Sequence, residues 1–69
     1  MSIREFRRQP KEYRKAVIDR VEDPLTQRVL TVAFLGFGKK SWVQVAVQIG
    51  GGNTADSVRM IAARVIAQL

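Results

Sequence analysis

The sequence predicts an α+β fold: a three-stranded antiparallel β-meander with a C-terminal helix packed on one face, preceded by a possible short N-terminal helix or arm (βββα or αβββα). Three patterns point there. Residues 27–37 are apolar on both faces of a period-two reading, residues 41–49 alternate from face to face, and residues 54–69 repeat apolar side chains at helical spacing. A chain of 69 residues has room for one hydrophobic core. The expected organisation is a single small domain over 1–69, with a basic N-terminal arm at 1–10 and a folded core at 11–69.

Residues 2–9 (SIREFRRQ) fit one or two helical turns, because Ser2 and Glu5 have capping-box spacing and Ile3 and Phe6 would share a face. A frayed basic tail fits the same residues. Pro10 interrupts. Residues 11–22 fit two states. As a helix, Tyr13, Val17 and Val21 recur at four-residue spacing after Pro10 at the first helical position. As a strand, the same three residues also share one face, and the cluster Val17, Ile18 and Val21 favours strand. Glu22-Asp23-Pro24-Leu25 reads as a turn, with Asp at the first position and Pro at the second.

In residues 27–37, Val29, Thr31, Ala33, Leu35 and Phe37 alternate with Leu30, Val32, Phe34 and Gly36, which suits a central strand. Gly38-Lys39-Lys40 makes a short turn. Residues 41–49 place Val43, Val45, Val47 and Ile49 on a face expected to meet the core. The other face would expose Trp42, Gln44 and Gln48. The stretch IGGGNTADS, from Ile49 to Ser57, then reverses the chain. The final helix is capped by Asn53 or Thr54 and carries Asp56 in its first turn, where a negative charge suits the helix dipole. Its stripe is Val58, Ile61, Ala62, Val65, Ile66 and Leu69. Met60, Ala63 and Ala67 lie on another side between Arg59 and Arg64, which suits packing on a partner.

The order short helix, three strands, helix is similar to that of double-stranded-RNA-binding domains, and AARVIAQL looks like their closing helix. That resemblance implies RNA binding through a lysine pair at the start of the last helix. The matching positions here hold Thr54, Ala55 and Asp56.

The net charge is +6, and residues 1–20 hold seven arginines and lysines against three carboxylates. Such a surface attracts polyanions. The expected function is therefore a small basic nucleic-acid-binding protein, with DNA and RNA both open. Arg4, Arg7, Arg8, Lys11, Arg14 and Lys15 would neutralise phosphates, with Phe6 and Tyr13 interleaved for stacking. Lys39, Lys40 and Trp42, beside Phe37, would form a second contact at a hairpin tip. The alternative is a protein-interaction, assembly or inhibitor module that self-associates, as a homodimer, or docks on an acidic protein partner.

No enzyme is expected. Histidine and cysteine are absent, so the usual nucleophile–base pairs cannot be built, and the carboxylates show no metal-ligand spacing. No cofactor is implied. IGGGNTADS lacks the lysine of a phosphate loop, and its glycines read as a chain reversal. No run approaches the roughly 20 apolar residues of a membrane span and no leader is visible. The absence of cysteine fits a reducing cytoplasm.

Overall fold

No strand forms. In the computed structural model, which describes all 69 residues, 67% of the chain lies in five helices. These are α1 (Ile3–Arg8), α2 (Lys11–Asp19), α3 (Pro24–Phe34), α4 (Trp42–Ile49) and α5 (Ala55–Ile66). The expected meander, in both its βββα and αβββα forms, is replaced by an all-helical fold, and the layout shared with double-stranded-RNA-binding domains goes with it.

Four of the five helices start at a residue whose side chain caps them, and α2 follows Pro10 with no side-chain cap. The Ser2 hydroxyl accepts from the Glu5 amide, and the Glu5 carboxylate accepts from the Ser2 amide, both at 3.1 Å. This reciprocal box satisfies two of the amides that a helix start leaves free. α1 then stops at Gln9, because the residue before a proline is pushed out of the helical region; its ψ is 153°. The segment 11–22, where the cluster Val17, Ile18 and Val21 favours a strand, is instead helical through Asp19. Asp23 and Pro24 do not make the expected turn between strands. Asp23 caps α3 by accepting from the Thr26 amide at 2.9 Å, and Pro24 occupies the first turn, where a missing N–H costs nothing.

The central strand expected at 27–37 is therefore a helix. An apolar run with both faces covered suits a buried helix as well as a buried strand, and here the start signal decides. Val29, Leu30, Ala33 and Phe34 form the buried face of α3. The same holds for 41–49. Ser41 and Gln44 make a second capping box, at 3.2 and 2.9 Å. Trp42, Val45, Ala46 and Ile49 then fall at i, i+3, i+4 and i+7 and turn inward. Val43 and Val47, expected in the core, are 63% and 76% exposed. α5 begins at Thr54, whose box partner is Ser57, and buries Val58, Ala62 and Ile66.

The core comprises eleven buried residues, all apolar. Phe6 comes from α1 and Ile18 from α2, so the first twenty residues contribute to the same core as the rest. Phe34 is its aromatic hub. Phe6 meets it edge-on at 5.0 Å between centroids, and Trp42 does so at 6.1 Å. Each such pair contributes about 0.5–1.5 kcal/mol beyond the area it buries.

The helix ends are tied by side chains from neighbouring helices. Arg14 on α2 donates to the Phe34 carbonyl that closes α3. Gln27 on α3 donates to the Ile18 carbonyl at the end of α2, at 3.2 Å, and Arg28 donates to the Gln48 carbonyl at the end of α4, at 3.4 Å. The Phe34 and Gln48 carbonyls are last-turn acceptors of the kind a helix end leaves free, whereas the Ile18 carbonyl also accepts from the Val21 amide at 3.0 Å. α3, α4 and α5 all pack on one another, most extensively α4 on α5, while α2 packs on α3 and α1 on α5.

Candidate nucleic-acid interface

The nine residues expected to bind phosphates and bases fall into two groups, and the fold uses several of them. Arg4 and Arg8 are exposed on α1, and Lys11 is exposed at the start of α2. Lys15 is exposed too, but it pairs with Asp19 one turn on, at 3.0 Å. The Arg7 guanidinium lies over the Phe34 ring, 5.1 Å from its centroid. Arg14 is half-buried, with its guanidinium on the Phe34 carbonyl. Two of the six N-terminal cations thus act within the protein, as a cation–π partner and a helix cap. Phe6, expected to interleave with them as a stacking ring, is fully buried.

Lys39, Lys40 and Trp42 do not sit on a hairpin tip, because there is no hairpin. The first two belong to the loop from Leu35 to Ser41, and Trp42 opens α4. The indole is half-buried, with its ring tilted 72° to that of Phe34. The Lys40 ammonium donates to the Phe37 carbonyl at 3.2 Å, and Lys39 projects into solvent.

The connection between α4 and α5 is short and glycine-built. α4 ends as Gly50 takes φ 70°, and Gly51 and Gly52 follow at 66° and 78°. Three consecutive residues in this region would strain any chain with Cβ atoms. The Asn53 side chain donates back to the Gly50 carbonyl at 2.8 Å and closes the turn. Thr54 then caps α5. α4 and α5 are thus joined by a short glycine-containing turn and pack on each other, with α3 lying against both.

On α5 the outward surface carries Asp56, Arg59, Met60 and Arg64, all exposed. Arg59 and Arg64 were noticed in the sequence only as the borders of a small-residue strip. The signal that would have found them is the pair of cap motifs, Ser41 to Gln44 and Thr54 to Ser57, on either side of the glycines. The outward surface of α4 is different: Lys40, Val43, Gln44, Val47 and Gln48 line a groove of about 300 Å³.

The charge distribution separates the two halves. Residues 1–23 hold seven cations and five carboxylates, a net of +2. Residues 24–69 hold Arg28, Lys39, Lys40, Arg59 and Arg64 against Asp56 alone, a net of +4. Of the carboxylates, Glu5 and Asp23 are held below the ordinary range. For Glu5 the cause is the bond from the Ser2 amide, then the Ser2 hydroxyl contact. For Asp23 it is the Thr26 amide, then the Thr26 hydroxyl. Both are therefore committed as cap anions. No three carboxylates converge at one place, and no helix is long and apolar enough to cross a membrane. The chain matches no protein-family model, no curated protein and no solved structure.

Proposed function

We propose that the protein binds double-stranded DNA through α3, α4 and α5, with α5 entering the major groove. The observation that carries this reading is the Gly50–Asn53 turn, which holds a capped, arginine-bearing α5 against α4. A twelve-residue helix is about 18 Å long, and the major groove of B-DNA admits a helix. Arg59 and Arg64 are the side chains suited to guanine edges, and Asp56 can accept from a cytosine amino group. Lys39, exposed on the loop before α4, would take a phosphate if α4 and α5 dock as a helix-turn-helix does, with the first helix across the backbone. Arg4, Arg8 and Lys11 add attraction that does not depend on sequence. The role is one of binding, without catalysis or cofactor, in a cytoplasmic setting.

Fluorescence anisotropy with duplex DNA, single-stranded DNA and duplex RNA, each at about 50 and 200 mM salt, tests the proposal. Duplex DNA should bind tightest and lose affinity steeply with salt. RNA should bind less well, because its deep, narrow major groove excludes a helix. Failure to bind duplex DNA at the lower salt, with the helices intact by circular dichroism, would sink the reading. Equal affinity for duplex RNA would do the same.

A second reading is favoured by Val43 and Val47, which stand exposed on α4: an assembly module that pairs with itself or docks on an acidic protein. Sedimentation at increasing concentration separates the two. A dimer that forms without DNA and is lost in Val47→Lys supports assembly. A monomer that binds DNA supports the first reading alone.

A further inference from the structure

The loop between α3 and α4 reads Gly36-Phe37-Gly38-Lys39-Lys40, and its aromatic side chain is 101% exposed, more than any other large apolar residue of the chain. The ring touches no part of the core, although Phe6 and Phe34 are both buried there. The backbone beneath it is fixed in several ways. The Lys40 ammonium donates to the Phe37 carbonyl at 3.2 Å. The same ammonium lies over Gly36 so closely that a Cβ there would come within 2.5 Å of it. Gly38, at φ 68°, then turns the chain toward Ser41 and α4. A glycine on each side leaves both ring faces clear of neighbouring side chains. Lys39 stands exposed two residues away.

We propose that Phe37 is a wedge that stacks on a base at an opened step of the DNA, with Lys39 on an adjacent phosphate. This rests on the DNA-binding reading and adds a second point of contact to it. The chemistry favours a nucleobase. One ring with free faces, flanked by glycines and followed by two lysines, offers a π-surface and charge but very little apolar area. Base–aromatic stacking needs only a clear face and tolerates any base. Apolar side chains are inserted between base steps in this way by proteins that kink the duplex. Membrane anchoring needs a larger apolar surface than one ring provides. The loop also leads directly into α4, the helix that would lie across the backbone.

The test uses the full chain and a short duplex carrying 2-aminopurine at a TA step, the kind of step that unstacks most easily. Wild-type protein should raise the fluorescence of the analogue as it is unstacked. Phe37→Ala should bind about tenfold more weakly, the order expected of one lost stack, and should leave the fluorescence low. Phe37→Trp should restore both. Because the ring packs on nothing, the helical circular dichroism of all three should be the same. If Phe37→Ala binds and unstacks like wild type while Arg59→Ala loses affinity, the wedge is wrong and the DNA reading survives. If wild type binds no DNA, both fail. Binding to vesicles of phosphatidylserine and phosphatidylcholine, lost in Phe37→Ala and with no signal on DNA, would overturn the proposal in favour of a lipid surface.

Discussion

Residues 1–23, which hold α1, α2 and the Asp23 cap of α3, and residues 24–69, which hold α3, α4 and α5, differ in how they use charge. The first region has seven of the twelve cations, yet it also has five of the six carboxylates. Arg7 and Arg14 work on Phe34, and Lys15 on Asp19. The second region has five cations and one carboxylate, and Lys39, Arg59 and Arg64 are exposed without an ion-pair partner. A cation count along the sequence therefore ranks the regions one way, and the cations free to meet a ligand rank them closer to equal. The N-terminal residues serve partly as cladding: Phe6 and Ile18 fill the core, and two arginine heads brace its aromatic hub.

The largest effect should come from cutting that cladding away. Phe6 is fully buried and is α1's contribution to the buried core. Phe6→Ala should cost about 3–5 kcal/mol. A chain of this size has roughly 3–10 kcal/mol in all, so urea unfolding followed by Trp42 fluorescence and circular dichroism should shift to much lower denaturant, with both probes coinciding. If α3, α4 and α5 instead stayed folded at the wild-type midpoint, the first region would be an appendage and the two-region contrast would be one of separate modules.

The second effect separates the cations themselves. Arg59→Ala should lower affinity for a preferred duplex by about 1–3 kcal/mol and relax base preference at one position. The double variant Arg4→Ala, Arg8→Ala should weaken every duplex alike and reduce the slope of log affinity against log salt by about 2. The opposite assignment, with the N-terminal pair setting sequence preference, would restore the arm as the principal site.

The helix boundaries were written in the sequence more plainly than the helices. Ser2–Glu5, Asp23–Pro24, Ser41–Gln44 and Thr54–Ser57 each mark a start, and all four are used. The last is legible because a helical stripe follows it; the first carries capping-box spacing, but its short segment fits a frayed tail as well as a helix. The middle two were masked by valine-rich runs with high β-propensity. That propensity reflects packing on a pleated surface more than a backbone preference, and tertiary packing overrode it. Trp42, Val45, Ala46 and Ile49 satisfy a helical period as fully as Val43, Val45, Val47 and Ile49 satisfy a strand period. Alternation alone could not choose between them. The site was less legible, because no pattern in one dimension shows that Arg14 folds back on Phe34 or that Phe37 is left outside. The glycines also change meaning with the state of residues 41–49: between a strand and a helix they mark a reversal, and between two helices they form the α4–α5 turn.

A smaller effect follows from that turn. At Gly52, φ is 78° and there is open space where a Cβ would stand. Gly52→Ala should therefore destabilise through backbone strain alone, by about 1–2 kcal/mol, and should weaken DNA binding by shifting α5 on α4. Unchanged thermal stability would mean that the left-handed turn is not required.

The smallest effect compares α1 with α3 through their cap carboxylates. Glu5 opens α1 and Asp23 opens α3, and both are exposed. Each accepts a helix-start amide, from Ser2 and Thr26 respectively, which lowers it from the ordinary 4.5 and 3.8. A carboxyl that is more acidic in the folded chain stabilises the fold above its unfolded value, and that contribution is lost as pH falls through the folded value. The melting temperature should accordingly hold steady from neutral pH down to about 5 and fall below about 4. Asp23→Asn keeps a side-chain acceptor at the cap but has no proton to gain, so it should flatten part of the acid limb, and Glu5→Gln should flatten another part. Asp23 caps a helix at the centre of the core, so its protonation should move the global transition. Glu5 caps a six-residue helix at the chain's end, and its protonation should fray α1 first, visible as a loss of helical signal before Trp42 responds. An acid limb unchanged in Asp23→Asn would show that the cap bonds do not carry the pH dependence, and simultaneous loss of both signals in wild type would show that α1 is as firmly held as α3.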